Sequence, residues 1–254
     1  MVSPYDRDLI NEGSDVRRKY IDGVISQFDR NYLEDLINYN KALAQRNALL
    51  KHFAETRTFN RQALESWDNQ LIQPGQRIYE RRNAFLREFI PTFQHYFEFI
   101  SGGKEKVGIT YSSQLLEHSL EQLLVDSVER DRAARYTTSG THKDDLLLGI
   151  DGFPVKKFGS QGQQKSYVVA IKLAQFEFTK NLKGFKPVLL FDDIFDKLDD
   201  HRVGQIIRLV SENNFGQVFI TDTQRYRVEK LLQEVSIDHC IFEIRNGSVV
   251  NLEE

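Results

Sequence analysis

The sequence predicts an α/β protein interrupted by a pair of long helices. Three observations carry this. From about Ile25 to Ile100 glycine is scarce and apolar residues recur at helical spacing. Beyond Gly102-Gly103, short apolar runs alternate with amphipathic stretches, the pattern of strands separated by helices. One of these runs, Val188 to Phe191, ends in paired carboxylates, as does a strand whose carboxy-terminal edge faces a ligand.

The elements follow in order. Ser3-Pro4 and Glu12-Gly13-Ser14 are turn signals, and Arg17-Arg18-Lys19 is a basic patch. Tyr32, Leu36, Tyr39, Leu43 and Leu50 share a helical face that Leu33 and Ile37 widen. A second run carries Leu64, Trp67, Leu71, Phe85, Phe89, Phe93, Tyr96, Phe97 and Ile100. The polar stretch Glu55 to Asn60 joins the two runs into an antiparallel arm, closed by Ser101-Gly102-Gly103. Pro74-Gly75 and Pro91 are expected to break or kink the second helix.

Lys106 to Ser112 alternates like a strand, Leu115 to Arg130 is expected to be helical, and Leu146 to Ile150 is a strand that turns at Asp151-Gly152. Gly162 to about Leu182 is apolar nearly all round, which predicts a buried helix. Val188 to Phe191 and Gln217 to Thr221 are expected as interior parallel strands, with a helix from Gln205 to Glu212 between them. A helix near Arg227 to Val235 and a hairpin about Asn246-Gly247 complete the order.

Composition excludes several classes. Apolar residues make up 40% and charged residues 28% of the 254, as in a soluble globular protein. The segment MVSPYDRDLINEG is charged where a secretory leader is apolar, and no apolar run nears membrane-helix length. The single cysteine, Cys240, excludes an intrachain disulfide, cannot by itself build a thiolate metal site, and fits a reducing cytoplasm. His118 and His239 lack metal-ligand spacing. A net charge of −3 means that nucleic acid, if bound, is held by local basic clusters.

Two motifs carry chemistry. Gly159-Ser160-Gln161-Gly162-Gln163 is a turn running straight into a long helix, where close backbone N–H groups, the helix start and a serine hydroxyl suit a phosphate. The same pattern also serves as a plain helix cap. Asp192-Asp193, at the tip of an apolar strand, suits Mg²⁺ at one carboxylate and an attacking water at the other, or forms merely an acidic turn.

Taken together and in this order, followed by Leu198-Asp199, the motifs resemble the distal half of ABC-type ATPases. The whole chain resembles the RecF family. The matching pieces are Ser3-Pro4 with Asp8-Leu9, Arg17-Arg18 with Asp22, and Tyr39-Asn40-Lys41-Ala42-Leu43 with Gln45-Arg46-Asn47. Gly140-Thr141-His142-Lys143-Asp144-Asp145-Leu146 and Thr221-Asp222-Thr223 complete the set.

The resemblance implies an incomplete ABC-type ATPase lobe with an inserted helical arm. Residues 1–23 would end the amino-terminal part of the lobe, 24–103 form the arm, and 104–254 hold the rest. Ser160, Gln161, Gly162 and Gln163 would be the signature, meeting ATP held by a second subunit. Asp192 would serve Mg²⁺, Asp193 would be the catalytic carboxylate, and Leu198 and Asp199 the D-loop. Thr221 and Thr223 stand where other ABC proteins place a switch histidine. Lys143 replaces the family's usual arginine and Thr141 its proline, which weakens any bidentate phosphate contact there.

The resemblance also implies an ATP-dependent homodimer in the bacterial cytoplasm. It would bind double-stranded DNA and double/single-strand junctions, work with RecO and RecR, and hydrolyse ATP weakly in response to DNA. No Gly-x-x-x-x-Gly-Lys-Ser/Thr loop occurs in the sequence. The family carries that loop in a segment that would precede Met1, so this chain alone is expected to be inactive as an ATPase. A nucleotide-independent adaptor that binds DNA or protein is the alternative. An SMC-like tether would need a longer arm.

Arg17, Arg18, Lys41, Arg46, Arg81 and Arg82 are candidates for a duplex-binding face, reading phosphates and not sequence. Lys19, Lys51 and Arg87 lie in the same region, among about as many acids. The aromatic stripe of the arm is expected to be core and not a base-stacking platform.

Overall fold

The computed structural model describes residues 1–211, 215–223, 229 and 238–253. Ser3 opens a 3₁₀ turn, Pro4–Arg7, whose backbone is fastened by Ser3 N–H donating to Asp6 Oδ2 at 2.7 Å. Helices α1 (Asp8–Asn11) and α2 (Ser14–Ser26) follow, burying Leu9, Ile10, Ile21, Val24 and Ile25.

Helices α3 (Arg30–Thr56) and α4 (Arg61–Ser101) form the arm. Each starts on a side-chain cap: Asp29 accepts from Tyr32 N–H and Asn60 from Ala63 N–H, both at 3.0 Å. Their cross-links run antiparallel, Arg82 reaching Tyr32, Arg77 reaching Asp35 and Arg46 reaching Asp68. With 41 residues, α4 spans about 60 Å.

Of the two effects expected of Pro74 and Pro91, a break or a kink, the break does not occur: both lie inside α4. Each proline forfeits a helical hydrogen bond. Burial of Leu71, Ile78, Phe85, Phe89, Phe93, Phe97 and Ile100 along the same helix outweighs that cost. Gly75 is a packing site: a Cβ there would fall 2.4 Å from Leu120 Cδ2 and 2.9 Å from Tyr39 Cε2. The aromatic stripe is core, as its burial pattern dictates.

Strand β1 (Val107–Ser112) leads to a 3₁₀ turn (Gln114–Leu116), then α5 (Leu120–Asp126) and α6 (Val128–Ala134). The sequence suggests a single helix over this stretch. Serine chemistry divides it: Ser119 Oγ caps α5 by accepting from Gln122 N–H, and buried Ser127 donates to Asp131 at 3.2 Å. Strands β2 (Asp145–Ile150) and β3 (Phe153–Pro154) complete an antiparallel sheet in the order β1-β2-β3.

Helix α7 (Val155–Phe158) precedes α8 (Gln161–Lys183), which is buried from Gln164 through Ile171 and again at Leu173, Ala174 and Phe176. Strands β4 (Leu189–Asp192) and β5 (Val218–Thr221) pair in parallel, and Val2 bridges the other edge of β4. Only one face of this pair is covered among the described residues. Leu189 and Phe191 are buried, whereas Val188, Leu190 and Phe219 are exposed, which corrects the expectation of interior strands.

Helix α9 (Asp200–Ser211) begins earlier than its apolar pattern suggests, because Asp199 caps it by accepting from Arg202 N–H at 2.8 Å. Glu212 and the helix expected near Arg227 to Val235 lie outside the described residues. The hairpin β6 (Ile241–Arg245) and β7 (Ser248–Glu253) turns through Asn246 and Gly247 at φ 50° and 76°, the positive values a two-residue turn requires. Among the described residues no helix is long and apolar enough to cross a membrane.

Candidate nucleotide-facing site

The acidic strand tip is built by the register of β4 on β5, which sets Asp192 opposite Thr221. Thr221 Oγ1 donates to Asp192 Oδ1 at 2.8 Å and accepts from Asp193 N–H at 3.1 Å. Asp193 leaves the strand at φ 47°, a left-handed conformation costly for a non-glycine residue, and its carbonyl accepts from Lys165 Nζ at 2.9 Å. Asp192 is exposed and Asp193 half-buried. One accessible carboxylate beside a second suits a divalent cation shared with phosphate oxygens, so these residues fit Mg²⁺. Thr223 lies exposed beyond Thr221.

The glycine-serine turn sits between α7 and α8. Ser160 and Gln163 close a capping box: Gln163 N–H donates to Ser160 Oγ at 3.2 Å, and Ser160 N–H donates to Gln163 Oε1 at 2.7 Å. Ser160 and Gln161 are exposed at the start of a 23-residue helix, whose amino-terminal end carries partial positive charge. The turn is tightly packed at both flanks. A Cβ at Gly159 would fall 2.7 Å from Val155 O, and one at Gly162 would fall 3.2 Å from Lys197 O. The turn therefore lies directly against the segment that leads to Leu198 and Asp199.

Two residues missed in the sequence join these pieces. Glu105, just past the end of the arm, accepts Arg202 Nη2 on both oxygens at 2.7 and 2.9 Å. Its Oε1 also accepts Gln163 Nε2 at 2.9 Å. Arg202 further donates to Ser166 Oγ at 3.1 Å, and its Nε pairs with Asp199 Oδ2 at 3.3 Å. Partial burial works against the charged form of Asp199, yet the backbone N–H and guanidinium of Arg202 hold its carboxyl below the usual range. Leu198 is buried and Asp199 exposed.

The basic candidates divide. Arg46 is fully buried, with Nε on Asp68 at 2.5 Å and Nη1 on Asp131 at 2.6 Å. Arg82 is buried against Asp22 and Asp144, both at 3.0 Å. Arg17 forks onto Asp145 at 2.7 and 3.0 Å. These three guanidiniums are consumed by internal carboxylates from distant segments, which removes them from an open duplex-binding face. Arg18 donates to Asp144 O at 2.6 Å, and exposed Arg81 pairs with Asp29. Lys41 is exposed on α3.

The Gly140 to Leu146 segment is thus a buckle that ties the arm to the sheet. Arg82 binds Thr141 O and Asp144, Arg17 binds Asp145, and Tyr39 O–H meets His142 Nδ1 at 2.8 Å. Burial raises the Asp144 carboxyl above its usual range, although Ser113, Tyr111 and Arg82 oppose it. Burial likewise lowers His142 to about 4.

Comparison with known proteins shows the family. The DNA replication and repair protein RecF of Flavobacterium johnsoniae is 51% identical over 244 residues, covering 96% of this chain and 68% of the relative. The chain belongs to the RecF family. The RecF of Bacteroides fragilis is 47% identical over 254 residues, covering the whole chain and 68% of the relative. A solved structure of the recombination mediator protein RecF with ATP, of the RecFOR pathway, matches at TM-score 0.79 and 33% identity. That match covers 98% of this chain and 66% of the solved one. No family model matches. The chain spans about two thirds of the length of these RecF relatives. Its α/β core with a helical insertion is the ATPase-lobe fold of RecF, a family of DNA repair and recombination.

Proposed function

We propose that this RecF-family chain forms the signature and acidic-strand part of an ATP-gated DNA-binding protein of recombinational repair. In this reading Ser160, Gln161, Gly162 and Gln163 meet the γ-phosphate of ATP bound to a second copy, and Leu198 and Asp199 couple the two copies. Asp192 holds Mg²⁺, which neutralises phosphate charge when bound, and Asp193 orients the attacking water. Thr221 fastens both aspartates at the strand tip, and Thr221 and Thr223 stand at the switch position. Closure of the homodimer clamps duplex DNA at double/single-strand junctions, and hydrolysis releases it. RecO and RecR are the proposed partners, in the bacterial cytoplasm.

The observation that best supports this reading is the meeting of motifs on the first turns of α8. Gly162 lies against Lys197, while Lys165 grips the carbonyl of Asp193. A cap without a ligand needs neither contact.

A P-loop supplies most of the charge-assisted hydrogen bonds to a triphosphate, and the sequence has none. The 254-residue chain is therefore expected to bind ATP weakly and not to hydrolyse it. Turnover above background that Asp193→Asn abolishes would refute that. Joined to the P-loop segment of a relative, the chain should dimerise with ATP and hold a gapped duplex more tightly. DNA binding by that fusion with no response to ATP would favour a nucleotide-independent adaptor instead.

A further inference from the structure

Glu105 is a half-buried carboxylate that the nucleotide chemistry does not use. It stands just beyond Gly102, the left-handed cap that ends the arm at φ 69°. The exposures of Glu105 and Arg202 are 13% and 11%, so a paired charge has been taken out of water beside the signature turn. Taking such a pair even partly out of water is unfavourable until the attraction between the charges repays it. The capping box of Ser160 and Gln163 already closes α8 without it. The pair is therefore in excess of what the helix end requires.

Its bonds show what it adds. Gln163 has both ends of its amide occupied, Oε1 by Ser160 N–H and Nε2 by Glu105. Arg202 touches Ser166, whose hydroxyl donates to Gly162 O at 2.9 Å, so the backbone of the turn is braced as well. The same guanidinium pairs with Asp199, and the backbone N–H of Arg202 donates to it. At the arm's end, a Cβ on Gly102 would fall 3.1 Å from His201 Cε1, so the root of the arm rests on the start of α9.

We infer that Glu105 and Arg202 are positioning residues, a clasp that holds the signature turn and the D-loop as one unit hung from the root of the arm. The inference rests on the nucleotide reading above and gives it a regulatory route. Displacement of the arm by DNA shifts both nucleotide-facing motifs together. Gln163, held by Ser160 N–H and Glu105, then aligns the turn as part of the signature.

The test is amide hydrogen exchange on the full chain, followed separately over residues 160–166 and 197–203. Glu105→Gln keeps the shape and an acceptor but loses the charge. Arg202→Lys keeps the charge but loses the fork. Each should speed exchange in both segments by about tenfold or more, as expected from losing a charge-assisted hydrogen bond. The double variant should match either single one. A folded variant in which one segment responds and the other does not, or in which the effects simply add, overturns the clasp. If Glu105→Gln lowers the global unfolding midpoint, Arg202→Lys decides on the same readout.

The link to the arm is tested by adding ATP and a gapped duplex to the fusion that carries a P-loop. The duplex should change protection at 160–166 in the unsubstituted fusion, and Glu105→Gln should abolish that change. An equal change in the variant overturns the link. A fusion that binds no DNA contradicts the proposed function and the route from the arm, while the joint response of the two segments in the chain still decides the clasp.

Discussion

Arg46 on α3 and Asp131 on α6 meet at 2.6 Å with neither side chain exposed. The same guanidinium holds Asp68 of α4 and Thr137, so a single side chain pins both arm helices to the segment beyond β1. Burial keeps the Asp68 carboxyl above its usual range despite Arg46, which shows how much the site depends on that charge. Replacing Arg46 with alanine leaves two carboxylates buried without their partner. The expected loss is ~3–5 kcal/mol, measured as a lower urea midpoint with unchanged slope. Arg46→Lys should not restore it, because an ammonium cannot serve three acceptors in a fixed fork. A loss below ~1 kcal/mol would show that the site is open to water.

His142 gives the fold a pH dependence of definite sign. Its Nε2 faces Thr137 O at 3.1 Å, and a carbonyl only accepts, so Nε2 carries the proton and Nδ1 accepts from Tyr39 O–H. Burial is the main cause of the low value of about 4, and the positive Lys143 and Arg18 add to it while Asp131 opposes them. The unfolded chain binds a proton near 6.5, the folded chain only near 4. Stability from this group is therefore complete above 6.5 and is lost as pH falls toward 4. The expected contribution is at most ~3 kcal/mol. His142→Gln should flatten the dependence of the unfolding midpoint between these values, and an unchanged slope would contradict the assignment.

What could be read from the sequence was local. The capping box of Ser160 and Gln163 spans one helical turn, and the acidic tip of β4 follows an apolar run, so both are visible at short range. The arm is equally plain, because two long amphipathic stretches joined by the polar Glu55 to Asn60 and closed by Gly102-Gly103 leave few other solutions. The hidden parts come from pairs far apart in the chain. Arg202 meets Glu105 across 97 residues and Arg46 meets Asp131 across 85, so in the sequence Arg46 reads as a free basic side chain and Arg202 gives no signal. The early start of α9 was missed because Asp199 suggested a loop residue and not a cap. The exposed side of β4 and β5 was missed because apolar runs do not disclose which face is covered.

Ser160 has two separable duties, capping α8 and, in the proposed function, meeting a phosphate. Ser160→Ala removes the acceptor that Gln163 N–H uses and should cost ~1 kcal/mol. Ser160→Asn supplies an equivalent cap and should restore stability to within ~0.5 kcal/mol. It should not restore ATP-dependent dimerisation in the fusion that carries a P-loop, since the amide cannot take the place of a hydroxyl against a γ-phosphate. Thermal unfolding and sedimentation of the same three proteins separate these duties. Parallel recovery of both would reduce Ser160 to a cap.

The basic residues of the first hundred positions can be sorted by the same kind of contrast. Lys41 is exposed on the arm, whereas the Arg17 side chain is 13% exposed and forked onto Asp145. If the arm grips duplex phosphates, Lys41→Gln should weaken DNA binding and lower the salt slope of log K by about 1, with the unfolding midpoint unchanged. Arg17→Gln should act the other way round. It leaves Asp145 at the edge of β2 without its partner, so the midpoint falls and any loss of DNA affinity follows the fraction unfolded. Titrations of a fluorescent gapped duplex at several salt concentrations, beside urea melts of both variants, decide the matter. A salt slope that drops for Arg17→Gln at full folding, and not for Lys41→Gln, would move the DNA-binding face from the arm to the buckle beneath it.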